Sequence, residues 1–362
     1  AALVLGVKGS GTVKGFAQTL ALGIVLSMFT ALVITRMLLK SFYAIGLKDE
    51  KFYGAAKERK TVNFLGKRKI FFAISLVMIM GGFVCMGVNK GATGTALNYS
   101  LDFVGGTSTN VTFNEDMDLS TLDAQVVPVI EKITKDANVQ VQKVAGGNQV
   151  IFKTRTLDVD ERQALTEALV ENFGVNSDLI TAETISSTIS SEMRSDAIVA
   201  VIIAAICMLL YIWFRFKDLR FATSAVAALL HDVLVVLAFY ALARVSVGST
   251  FIACMLTIVG YSINATIVIF DRIRENLGAM SKKDSLDDLV NRSISQTLSR
   301  SIFTSLTTFF MVAALFVLGV SSVREFALPL MVGIVCGTYS SVCITGALWY
   351  VLRAKIGTKK SK

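Results

Sequence analysis

Seven apolar stretches, near 13–35, 70–88, 197–216, 221–243, 248–270, 301–320 and 326–352, constrain this chain before any motif does. Each is long enough to cross the roughly 30 Å hydrocarbon core of a bilayer as a helix. Hydrophobic residues make up 53% of the chain, which is the composition of a polytopic helical membrane protein. Residues Ala1–Val7 read as the tail of an eighth span. With no initiating Met, the chain is expected to be a piece of a longer polypeptide.

Charge orients these spans. Arg36–Lys69 carries ten Lys/Arg against three acids, and the tail beyond Tyr350 carries five basic residues and no acid. Both belong on the cytoplasmic side by the positive-inside rule, as does the link holding Arg215, Lys217 and Arg220. The soluble insert 89–194 is the opposite, with fifteen acids against eight basic residues, and is expected outside the cytoplasm. The net +9 thus reflects topology, and nucleic acid is not expected as a partner. The sequence divides into closing helices of a preceding bundle (1–35), a basic cytoplasmic linker (36–69) and a transmembrane helix (70–88). The extracytoplasmic domain (89–194), five further helices (195–352) and a basic cytoplasmic tail (353–362) follow.

Inside the insert, Thr107–Phe113 alternates as a strand and Leu122–Ala137 has helical periodicity. Val139–Val144 and Gln149–Thr154 read as strands joined across Ala145-Gly146-Gly147-Asn148. Asp160–Phe173 is a second helix with an acidic first turn, and Leu179–Ile185 is a fourth strand. The order β-α-β-β-α-β implies a ferredoxin-like α/β domain. Just before it, Asp102-Phe103-Val104-Gly105-Gly106 reads as a glycine turn leading the chain off the membrane.

The chain also repeats itself. Val13–Thr35 aligns without gaps to Val323–Thr345, with identities at Val13/Val323, Phe16/Phe326, Ala17/Ala327, Leu20/Leu330, Gly23/Gly333, Ile24/Ile334, Val25/Val335, Ile34/Ile344 and Thr35/Thr345. Two homologous bundles with the site at their interface is a common transporter design.

Polar residues inside the spans are the candidate site, because lipid makes them expensive. Thr257, Tyr261 and Asn264 share one helical face, Gln296, Arg300, Thr304 and Thr308 another, and Ser224 with His231 a third, beside Asp232. The three stripes are expected to face one another. Simpler readings stand beside this. Hydroxyls back-bond to their own helix, Asn264 can tie two helices together, and Arg300 can snorkel to the cytoplasmic surface. An acid near mid-span, Asp232, needs a partner or a proton. No nucleotide-binding loop, catalytic triad, CxxC or Cys/His cluster occurs. No enzyme activity, metal site or cofactor is expected, and the five cysteines read as small core residues.

The combination of Asp102–Gly106, Ile185–Met193, His231-Asp232, Gly260-Tyr261-Ser262-Ile263-Asn264 and Asp271-Arg272-Ile273-Arg274-Glu275-Asn276 resembles the SecD/SecF protein-export family. The resemblance to SecF covers about 62–355, and residues 1–35 resemble the closing spans of SecD, as at the back end of a SecD–SecF fusion. It implies a six-helix bundle of the RND superfamily in the bacterial cytoplasmic membrane. The implied role is to promote preprotein export on the proton or sodium motive force, with a SecD half, the SecYEG channel, SecA and the translocating preprotein as partners. In the family an Asp follows the span's Asn and pairs with an Arg on the next helix. The Arg matches Arg300, but the Asp position holds Ala265. Asp232 is the first substitute expected for that acid, and one from the SecD half the second. An RND exporter of lipids or small molecules, and a non-conducting scaffold or substrate clamp, are the alternatives.

Overall fold

In lipid every backbone N–H and C=O must be satisfied within its own segment, so the apolar stretches have little choice but to be helices. The computed structural model describes residues 6, 11–49, 52–53, 61–136, 139–144, 147–281, 284–319 and 321–357. In chain order these form α1 (Ala17–Ile45), α2 (Leu65–Thr93), a short α3 (Leu101–Val104), β1 (Gly106–Thr112), α4 (119–134), β2 (Gln140–Lys143) and β3 (Gln149–Thr154). They continue with α5 (Val159–Phe173), β4 (Ile180–Ile185), α6 (Ser187–Phe216), α7 (Leu219–Ala243), α8 (Thr250–Gly278), α9 (Leu286–Leu318) and α10 (Val323–Ala354). Seven of these helices are long and apolar enough to cross a membrane. Apart from Gly6, the eighth span expected over Ala1–Val7 lies outside the described residues, as does the loop tip at 145–146.

Residues 99–197 and 247–249 form one compact unit and the remaining spans the other. In the first, the four antiparallel strands run in the order β2-β3-β1-β4, the strand order of a ferredoxin-like sheet. Val111, Val150 and Phe152 from the sheet pack on Leu122, Val126 and Ile130 of α4 and Leu165 and Leu169 of α5. Asp158 caps α5: its carboxylate accepts from the Glu161 N–H (2.7 Å), and Glu161 accepts from the Asp158 N–H (3.1 Å). Glu161 also pairs with Arg155, which donates from Nε to the Thr134 carbonyl (2.7 Å) and so ties α4 to α5. The Arg155 hydrogen bond, then the Asp158 backbone donor, hold the Glu161 carboxyl below its ordinary range.

The Gly105-Gly106 pair turns out to be a steric requirement. Gly105 closes α3 by donating to the Leu101 carbonyl (2.8 Å) and has φ +78°. Gly106 opens β1 with φ +122°, and a Cβ there would sit 2.3 Å from the Thr154 carbonyl oxygen of β3. The backbone of Asp102 lies in α3, and its side chain is outside the described residues.

In the membrane unit, α8 and α10 approach closely because α10 carries Gly333 and Gly337. A Cβ at Gly333 would lie 2.3 Å from Ile258, and one at Gly337 3.2 Å from Ser262. The linker into α2 is pinned to α9: Asn291 Oδ1 accepts from the Phe64 and Leu65 N–H groups (3.0 Å each), and Ser295 Oγ from that of Val62 (2.9 Å).

Two outcomes follow for the soluble unit. Gly106→Ala should destabilise its sheet by about 1–3 kcal/mol through backbone strain, read as faster hydrogen exchange in β1 and β3. Gly91→Ala, which meets open space, should leave that exchange unchanged. Because the folded-state pKa of Glu161 is lowered, its pairing is complete above the ordinary glutamate range and is lost as pH falls through the depressed value. Glu161→Gln should therefore flatten the acid side of the unit's pH–stability curve. The step should be small, because the pair is solvent-screened.

Candidate functional site

Asp232, on α7, is fully buried in the membrane unit, and four donors converge on it. Its Oδ1 accepts from His231 Nδ1 (2.9 Å) and the Cys336 thiol (3.3 Å). Its Oδ2 accepts from the hydroxyls of Ser262 (2.5 Å) and Ser340 (2.8 Å). The carboxylate thus joins α7, α8 and α10. Burying a charge without such donors would be prohibitive, so the hydroxyls and the imidazole are what permit it.

The imidazole extends the network to α2. His231 Nε2 lies 2.8 Å from Ser75 Oγ, which can donate to Tyr339 Oη (3.4 Å), and Tyr339 donates to the Phe71 carbonyl (2.8 Å). The single Ser75 proton has two possible destinations. With a neutral ring it points at Nε2. With both ring nitrogens protonated, Nε2 donates to Ser75, whose proton turns to Tyr339. The network therefore accommodates either charge state of the ring without moving a heavy atom. The donor atoms of His231, Asp232 and Cys336 also lie within 4.8 Å of one another, a trio able to hold a metal ion that the sequence spacing does not reveal.

Where the last of these partners sits, α10 changes pitch. Ser340–Thr345 is a π-helical turn, closed by the Thr345 hydroxyl donating to the Ser340 carbonyl (3.0 Å). The repeat partner has the same device: Thr30–Ile34 is a π-turn in α1, and Thr35 donates to the Thr30 carbonyl (3.0 Å).

Of the three polar stripes expected to face one another, two meet and the third stands apart. Tyr261 and Asn264 of α8 do meet Arg300 and Thr304 of α9, around a cavity of about 60 Å³ that Ala265, Val268 and Ser301 complete. Asn264, Gln296, Arg300 and Thr304 lie exposed on that flank, whereas His231 and Asp232 face Ser75, Ser262, Cys336 and Ser340. The reason is helical phase. Residues two apart on a helix point about 200° from one another, so Ser262 faces Asp232 while Asn264 faces away. Asp232 is accordingly not the counterion of Arg300. Among the described residues no acid lies within ion-pair distance of Arg300.

Ser224 and Thr257 back-bond to the carbonyls of Arg220 (2.7 Å) and Ala253 (2.7 Å). The charged segment after the span fastens the end of α8. Asp271 pairs with Arg215 (3.0 Å), and Arg274 donates to the Arg215 carbonyl (3.3 Å). Asn276 donates to Ser293 (2.7 Å) and Gln296 (3.1 Å), and Arg272 pairs with Glu275 (2.9 Å).

Comparison with known proteins agrees with this architecture. Residues 165–355 match the family described as protein export membrane protein SecD/SecF, C-terminal. Protein translocase subunit SecF of Calditerrivibrio nitroreducens is 35% identical over 84% of this chain and 98% of its own length. Protein translocase subunit SecDF of Bacillus subtilis is 32% identical over 98% of this chain and 49% of its own, so the chain spans about half of such fused relatives. The crystal structure of SecDF from Thermus thermophilus, described as translocon-associated, superposes with a TM-score of 0.83 at 34% identity, covering 98% of this chain and 47% of that one. With its ferredoxin-like unit between membrane helices, and the motifs at Gly105-Gly106 and Asp271–Asn276, this chain belongs to the SecD/SecF protein-export family.

Proposed function

We propose that this chain serves the bacterial Sec translocase as a membrane subunit promoting preprotein export, in company with a SecD half, the SecYEG channel and SecA. The acidic insert lies outside the cytoplasm, where it handles the emerging preprotein, and the basic C-terminus lies inside. Family membership supports the export role, as do the charge asymmetry of the loops and the roles for which the relatives are named. The energy comes from an ion motive force.

The proton-handling group within this half is the His231–Asp232 pair. One observation carries this: Asp232 is the sole fully buried acid among the described residues, and its neighbour offers an imidazole both of whose nitrogens face oxygen partners. Imidazole is the side chain suited to exchanging a proton near neutral pH. The position beside Asn264 cannot do so, because alanine carries no proton. That same substitution favours a second reading, in which this half is a clamp and scaffold without ion conduction.

Asp232→Asn should abolish the stimulation of export by the motive force in membrane vesicles while leaving the unstimulated, ATP-driven fraction intact. Stimulation that persists at its full level would support the clamp reading instead. The chain holds one histidine, so histidine-specific ¹⁵N resonances report on His231 alone. They should show the proton on Nδ1, the nitrogen that faces Asp232.

A further inference from the structure

Three atoms able to ligate a metal converge inside the membrane unit. His231 Nδ1 lies 2.9 Å from Asp232 Oδ1, and the Cys336 sulfur lies 3.3 Å from the same oxygen. The ligand atoms all fall within 4.8 Å of one another, and all three residues are buried. The hydrogen bonds around them divide as a metal requires. Asp232 Oδ2 is taken by the Ser262 and Ser340 hydroxyls (2.5 and 2.8 Å), which leaves Oδ1 turned to the imidazole and the thiol. His231 Nε2, the nitrogen turned away, lies 2.8 Å from Ser75 Oγ, and Ser75 can donate its own proton to Tyr339 Oη (3.4 Å). Metal-bound imidazoles characteristically donate their other N–H to such a partner, and metal-bound carboxylates are themselves hydrogen-bonded. Every one of these residues belongs to this chain, so no part of the arrangement depends on a second bundle.

We propose that His231, Asp232 and Cys336 form a zinc site joining α7 to α10. The carboxylate and the thiolate supply two negative charges and the imidazole none, so a divalent ion makes the centre neutral and no net charge is buried. A cuprous ion would leave one negative charge over. The thiolate disfavours magnesium and calcium, which take oxygen ligands. Zinc bond lengths at a tetrahedral angle separate ligand atoms by about 3.4–3.6 Å, so the present contacts need open by roughly half an ångström or less. From a neutral ring and an ionised Asp232, one proton leaves per zinc bound, that of the thiol. The ring changes tautomer: Nδ1 gives up its proton to bind the metal, and Nε2 carries one, hydrogen-bonded to Ser75. A bound zinc occupies both members of the His231–Asp232 pair, so occupancy and proton handling exclude one another. Binding itself does not rest on the proton reading.

The test uses the whole chain in detergent, without a histidine tag, supplied with zinc and then freed of the excess. One zinc per chain should remain, and X-ray absorption at the zinc edge should show one sulfur and one imidazole among its ligands. The chain holds one histidine, so an imidazole ligand identifies His231. Cys336→Ser, whose hydroxyl can still bond Asp232, should remove the sulfur and weaken retention about tenfold or more. Ser75→Ala leaves all three ligands in place and should weaken it by about 10–100-fold. Cys207→Ser, at an exposed cysteine, should retain zinc like the wild type. No retained zinc in the wild type, or a ligand shell lacking sulfur or imidazole, would overturn the proposal. Those readings need no variant, so a folding defect cannot imitate them. Full retention by Cys336→Ser or Ser75→Ala, or loss of zinc in Cys207→Ser, would overturn it too, since the metal would then lie elsewhere.

Discussion

A carboxylate with no exposed surface, held by donors from three membrane helices, sets the terms on which the spans can pack. Asp232 takes hydrogen bonds from His231 on its own helix, Ser262 on α8, and Cys336 and Ser340 on α10. A hydrogen bond to a charged group contributes about 1.5–3 kcal/mol, more than most side-chain contacts supply. The helices must therefore be phased so that these hydroxyls point inward together. Gly337 allows it: α10 comes so near α8 that a Cβ there would press on Ser262. Small residues at the crossing and the polar centre are one arrangement seen from two sides.

Much of this fold was legible in the sequence because its signals are local. Apolar length gave the spans, and alternation in 107–113 and 149–154 gave the strands. The order of elements gave the ferredoxin-like sheet. The candidate site was legible only in part. His231 and Asp232 stood out because an acid inside an apolar stretch demands an explanation. Ser75, Ser262, Cys336 and Ser340 did not, since hydroxyls and thiols in membrane helices commonly back-bond or fill space. Their role appears only when four distant segments converge. The error over the stripes has the same origin: periodicity says which residues share a face, but not which neighbour that face meets. Asn291, which pins the linker before α2 to α9, was likewise invisible, its partners lying more than two hundred residues away.

The repeat separates local causes from tertiary ones. Both copies carry a π-turn closed by a threonine hydroxyl reaching five residues back, Thr35 to Thr30 and Thr345 to Ser340. In α10 the turn is buried beside Asp232, but in α1 none of its residues is buried. The carboxylate therefore cannot be what makes the turn. The threonine hydroxyl closes the turn in both copies, and in α10 Ser340, at the start of the turn, donates to Asp232.

Helix α8 carries both polar centres, on opposite sides. Ser262 binds the buried carboxylate, and Asn264, two residues on, faces the cavity beside Arg300. Its far end is clamped, by Asp271 to Arg215 and by Asn276 to Ser293 and Gln296. A helix fastened at one end and bonded through Ser262 on one face cannot rotate without breaking that bond. The clamp residues belong to the charged motif that the sequence displays most plainly, and their ion pair and hydrogen bonds fasten the end of α8.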